Sequence, residues 1–161
     1  EGALISGIAF TKDEAEVMIK GVKDQPGVAA KILGPIGEAN IEIDMIVQNV
    51  GSNGLADFTF TVSRNTLKKA LQVIDKNKKT MMYDSVTSKS NIVKVSIVGV
   101  GMRSHAGIAS KMFKCLAKNK VNIRMISTSE IKISVVIDQK NLELAVQALH
   151  NEFKLDKKNK K

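Results

Sequence analysis

The chain has 161 residues, a net charge of +9, an ordinary apolar content, few aromatic residues and a single cysteine. That length admits one domain or two small ones. No apolar run approaches the roughly 20 residues of a membrane span, no signal-peptide pattern opens the chain, and the lone Cys115 excludes a disulfide framework, which places the expected setting in a reducing cytoplasm.

The chain begins with Ala3-Leu-Ile-Ser-Gly-Ile-Ala-Phe10, a strand pattern, and Ala15 to Val22 alternates as a second strand. Asp24-Gln-Pro-Gly27 hands over to a helix in which Val28, Ile32, Leu33 and Ile36 recur at helical spacing. Gly34-Pro35 is expected to kink or shorten that helix. Strands over Ile41 to Val50 and Phe58 to Val62 are joined across Gly51-Ser-Asn-Gly54. Leu67, Ala70, Leu71 and Ile74 mark a second helix, and a short strand around Met81 to Val86 follows. Next come a strand from Ile92 to Val100, a loop from Gly101 to Ala106 and a helix from Gly107 to Lys118. Cys115 falls in the apolar phase of this helix. Strands Val121 to Ser127 and Ile131 to Ile137 precede a last helix, Leu142 to Phe153, for which Asp138 is the natural N-cap.

This series is a repeat. At an offset of 80, Gly21, Gly27, Ala29 and Lys31 fall on Gly101, Gly107, Ala109 and Lys111, while Ile43, Met45 and Ile46 fall on Ile123, Met125 and Ile126. Past Gly54 the offset drops to 75, and Leu67, Ala70 and Gln72 meet Leu142, Ala145 and Gln147. Two copies of one unit with a longer hairpin in the first would give this pattern. The order βαββα(β) is that of a ferredoxin-like α+β unit, an antiparallel sheet with helices on one face. The second copy lacks its closing strand, so the N-terminal strand is expected to complete it and leave no bare edge. The expected units are residues 14–88, and residues 1–13 with 89–153, followed by a lysine-rich tail, 154–161.

Positive charge is concentrated in that tail (Lys154, Lys157, Lys158, Lys160, Lys161) and at Lys76, Lys78 and Lys79, where lysines read as solvated helix ends, not as a nucleic-acid surface. Catalytic signatures are missing: His105 and His150 stand far apart, no Cys/His set has metal spacing, and no phosphate loop G-x-x-x-x-G-K-[ST] occurs. Gly99-Val-Gly101-Met-Arg-Ser104 puts serine where a dinucleotide fingerprint needs glycine. The chain reads as non-catalytic, with no cofactor. What recurs instead is a strand, a glycine-bearing loop and a helix start. A helix N-terminus suits a carboxylate, and Asp24 or Glu130 could answer an ammonium group, which points to a free amino acid as ligand.

The segments Asp24-Gln-Pro-Gly-Val-Ala-Ala30 and Ile41-Glu-Ile-Asp-Met-Ile-Val-Gln-Asn-Val50 resemble the first ACT unit of the bacterial aspartate kinase regulatory region. Gly101-Met-Arg-Ser-His-Ala-Gly107 and Val121 to Ile131 resemble its second, and Ile126-Ser-Thr-Ser-Glu-Ile-Lys-Ile-Ser134 is the most specific stretch. This resemblance implies a regulatory region or separate beta subunit, pairing as a homodimer through its ACT units and controlling an aspartate kinase catalytic domain or alpha subunit. It implies a threonine-like effector pocket of Asp24, Gly27, Val28, Ala29 and Gln48, with Asn122 and Ile123 supplied by the partner chain. It implies a lysine-like pocket of Asp44, Ala109, Ser129 and Glu130. A regulatory subunit of another amino-acid pathway would share the fold with a different effector. A ferredoxin-like RNA-binding module would need aromatic side chains on the sheet, where these strands carry mostly Ile, Val and Met.

Overall fold

A computed structural model describes residues 4–101 and 106–155. The expectations on Ala3, on the loop residues Met102, Arg103, Ser104 and His105, and on Lys157, Lys158, Lys160 and Lys161 lie outside the described residues. The chain divides into two compact units, residues 13–90, and residues 1–12 together with 91–161.

Unit 13–90 uses the second part of β1 (Leu4–Lys23), β2 (Ile43–Val50), β3 (Leu55–Val62) and the first part of β4 (Ser85–Val100), ordered β2-β3-β1-β4. Its helices are α1 (Val28–Glu38), α2 (Leu67–Lys76) and the short α3 (Lys78–Met81). Alternate residues Val17 and Ile19 of β1 and Phe58 and Phe60 of β3 meet Ile32 and Ile36 of α1 and Ala70 and Ile74 of α2 in one core. The period-two and i, i+4 spacings in the sequence thus become the two faces of one contact.

The other unit takes the first part of β1, the rest of β4, β5 (Met125–Thr128) and β6 (Lys132–Asp138), in the order β1-β4-β6-β5. Its helices are α4 (Ala106–Lys118) and α5 (Leu142–Glu152). Val93, Val95 and Ile97 of β4 and Ile133, Val135 and Ile137 of β6 form its core with Met112, Leu116, Ala145 and Leu149, and Ile5 and Ile8 of β1 pack against it. The N-terminal strand therefore completes this second ferredoxin-like sheet, and the fold class is α+β with two such units.

Several local expectations are corrected. The strands foreseen at 3–10 and 15–22 are one strand, β1, because Thr11-Lys-Asp-Glu14 holds no Gly or Pro to turn the chain. The same holds for β4, which also starts later than expected. Met81 is helical, its N–H donating to the Asn77 carbonyl at 2.8 Å, and Met82 then turns the chain at φ 55°. Pro35 does not shorten α1, which runs on to Glu38. Proline inside a helix costs about 3 kcal/mol. Burying Ile32 and Ile36 completely returns about 1.5–3 kcal/mol each, and the preceding Gly34 has no Cβ to meet the proline ring. Asp138 ends β6 and precedes a 3-10 turn, Gln139–Asn141, without a side-chain cap bond, so Asn141 and not Asp138 is the N-cap of α5.

β2 and β5 begin at Ile43 and Met125 instead of Ile41 and Val121 because both preceding helices close the same way. Asn40 and Lys120 adopt left-handed φ of 61° and 57°, and Ile41 and Val121 donate back to the Ile36 and Leu116 carbonyls. The ladders also refine the repeat. Ala15 pairs with Val62 and Val93 with Ile137, just ahead of equivalent 3-10 turns, so the first strands correspond at an offset of 78 (93 − 15).

Ser96 and Ser134 face each other across β4 and β6, buried, with hydroxyl oxygens 2.6 Å apart. Ser96→Ala or Ser134→Ala alone should cost about 1–2 kcal/mol by stranding the other hydroxyl. The double variant should cost less than the sum, as read from urea unfolding of all four proteins. Burial also pushes the Cys115 thiol up from its ordinary value. A thiol-reactive disulfide reagent at neutral pH should therefore label Cys115 at least tenfold more slowly in the folded chain than in urea.

Candidate functional site

The end of β1 is set by a bulge. Ile19 pairs with Phe58 but Val22 with Ala56, so β1 spends one more residue than β3 over this stretch. Gly21 absorbs it at φ 77°, and a Cβ there would collide with the Asp84 carboxylate. Two bonds hold the bulge: the Gly21 N–H donates to Asp57 Oδ1 at 3.0 Å, and the Asp84 N–H to the Lys20 carbonyl at 2.8 Å. The strand then releases Asp24, whose N–H donates to the Gly54 carbonyl at 2.9 Å and ties the loop to the β2–β3 hairpin. That hairpin closes through Gly51 N–H to the Leu55 carbonyl at 2.8 Å and Leu55 N–H to Asn53 Oδ1 at 3.1 Å.

Gly27 follows at φ 89° and caps α1 without any side-chain cap bond. No acidic residue occupies the first turn, and Asp24 and Ala29 are exposed beside it. The positive end of the α1 dipole thus has no side-chain cap and no counter-charge from its own first turn. Val28 differs from its neighbours: its side chain is buried in the core and its N–H donates to the Gln25 carbonyl at 3.1 Å, so it anchors the turn. Gln48 lies exposed on β2, opposite Phe58 of β3. Asp44 sits at a second bulge, where Ile43 pairs with Val62 and Ile46 with Phe60 while the Met45 N–H donates to Thr61 Oγ1 at 3.0 Å.

The remaining residues belong to the other unit. Asn122 is exposed and Ile123 half-buried against the core, both between α4 and β5. Ala109 lies in the first turn of α4. The Ser129 hydroxyl accepts the Lys132 N–H at 3.2 Å and the Ile131 N–H at 3.4 Å, and so shapes the hairpin that carries the exposed Glu130. Unit 13–90 therefore gathers Asp24, Gly27, Val28, Ala29, Asp44 and Gln48, and each foreseen pocket draws on both units. The supporting residues Asp57, Asp84 and Asn53 went unforeseen. The one signal for them was Gly21 itself, an isolated glycine inside an alternating strand.

Phe58 and Phe60, the aromatic pair of β3, lie in the helix-covered core, which removes the stacking platform that a ferredoxin-like RNA-binding module uses. Among the described residues no three His, Cys, Asp or Glu side chains are grouped to hold a metal ion, and no helix is long and apolar enough to cross a membrane.

Two ACT domain models match the chain, over residues 16–78 and 95–153. The crystal structure of aspartokinase alpha and beta subunits contains a chain 48% identical to this one, superposing with a TM-score of 0.88 over 93% of this chain and 99% of that one. The chain belongs to the tandem-ACT regulatory family of aspartate kinase. The ligand-free regulatory subunit of aspartate kinase from Thermus thermophilus superposes equally well, at 36% identity over 93% of this chain and 99% of that one. An aspartate kinase of Stutzerimonas stutzeri is 62% identical over 97% of the chain, which spans only 38% of that relative's length. In this regulatory family member the Gly21 bulge positions the loop at the start of α1. Gly21→Ala should lower stability by about 1–3 kcal/mol through left-handed strain and displacement of Asp84, measured as a shift in the urea unfolding midpoint.

Proposed function

We propose that the chain senses end-product amino acids for an aspartate kinase, binding threonine and lysine and transmitting their presence to a catalytic domain or alpha subunit. The observation that carries this reading is the uncapped, acid-free start of α1 beside exposed Asp24, with Gln48 exposed on β2 of the same unit. A threonine carboxylate would rest on the helix N–H groups, its ammonium on Asp24 and its hydroxyl on Gln48, with Gly27 and Ala29 leaving room for the ligand. Asn122 and Ile123 of a second copy would close this pocket. For lysine, the exposed Glu130 on its Ser129-shaped hairpin, with Asp44 and Ala109, would face the cationic side chain.

Pairing of two copies is supported by the terminal strands of each unit's sheet. Ile46 and Val50 on β2 and Ile126 on β5 are exposed, an apolar lining that a pairing edge would bury. An effector bound across such a pair favours the geometry that holds the kinase inactive, by as much as it binds that state more tightly, typically 1–3 kcal/mol.

Isothermal titration of the chain with threonine, with lysine, and with each in the presence of the other tests the proposal. Threonine should bind saturably, Asp24→Ala should weaken it at least tenfold, and Glu130→Gln should weaken lysine while sparing threonine. A folded dimer that gives no heat with either amino acid at millimolar concentration would overturn the assignment.

A further inference from the structure

We propose that the groove between α5 and the N-terminal part of β1 is a second ligand site, for a small organic anion with an apolar body. The groove encloses about 690 Å³, within the 300–1,000 Å³ usual for small-molecule sites. Phe10, half exposed on β1, and Leu142 and Val146 of α5 give it an apolar floor. Lys12, Lys140 and the imidazole of His150 stand around that floor, against one carboxylate, Glu143. It lies at the β1 edge of its unit's sheet, whereas Ser129 and Glu130 occupy the β5–β6 hairpin at the opposite edge.

The internal repeat supplies a control for what is scaffold and what is particular. A groove of about 480 Å³ occupies the corresponding place on α2, with Leu67, Leu71 and Gln72 each 75 residues before Leu142, Val146 and Gln147. The apolar floor and the glutamine therefore come with the fold. The charge balance is alike as well, with Arg64 and Lys68 against Asp75, but Lys68 stands where the α5 groove has Glu143, Asp75 where it has His150, and no strand contributes an aromatic ring. Of these two grooves, the one on α5 adds an aromatic wall and an imidazole to its cationic rim. Two lysines opposing a single carboxylate select one anionic group on an apolar frame, and a desolvating wall such as Phe10 strengthens that charge-assisted contact.

Fluorescence titration of the intact chain with anilinonaphthalenesulfonate, an anion on an aromatic frame, tests the site. Saturable binding is expected, about tenfold weaker after combined Lys12→Glu and Lys140→Glu. Both lysines are exposed, so the fold should be retained, as an unchanged melting curve would confirm. Phe10→Ser alone should also weaken the probe, while Asp75→Ala in the other unit should leave it unchanged. The proposal is overturned if charge reversal leaves the affinity unaltered, if neutral phenylnaphthylamine binds as tightly, or if no saturable binding is seen.

Discussion

The backbone ladder of β1 is the constraint on which both units depend. A βαββα sequence ends on a helix and leaves one edge of its sheet without a partner, a row of amide and carbonyl groups open to adventitious pairing. Residues 4–12 supply that partner for the second copy, while the continuation of the same strand from Asp13 supplies a central strand of the first. Neither sheet has its full strand set without β1, so both units depend on this one strand of 20 residues.

Bending that strand at one point is what places the loop before α1. The bulge at Gly21 shifts the ladder by a residue, Val22 and Lys23 pair on with Ala56 and Leu55 at the start of β3, and Asp24 is then tied to the β2–β3 hairpin. The Asp57 carboxylate and the Asp84 N–H fix this turn, and Asp24 beyond it stays exposed. The uncapped start of α1 follows from the same economy of side chains, since Gly27 can adopt left-handed φ but has nothing with which to cap the helix. The second bulge, at Asp44, acts similarly on the neighbouring strand. Irregular backbone thus stands beside the residues of the proposed pockets on β1 and β2, while the β4–β6 and β5–β6 ladders run in register.

Duplication lets each unit be read against the other. Both copies close their first helices with a left-handed residue and enter their second helices through a 3-10 turn. They diverge in the hairpin, where the first copy carries the longer, Asn53-braced turn and the second the shorter, Ser129-braced one. They diverge again on the outer helices, where the same apolar floor carries its charges at different positions and one copy adds an aromatic ring. Shared features keep the fold, and the divergent ones lie at the surfaces where ligands are proposed to bind.

The sequence by itself determined the repeat, most element types, the apolar faces and the residue types of the loop before α1, because hydrophobic period and Gly/Pro placement act locally. It also determined that the N-terminal strand belongs with the second copy, since an unpaired edge is costly whatever the details. Only the tertiary structure decided that neighbouring strands fuse into β1 and β4, that Pro35 stays inside a helix, and that the first strands correspond at 78 and not 80. Those outcomes depend on burial and on ladder register between segments distant in the chain. The roles of Asp57, Asp84 and Ser129 were hidden for the same reason: each is defined by a hydrogen bond whose geometry exists only once the strands have paired.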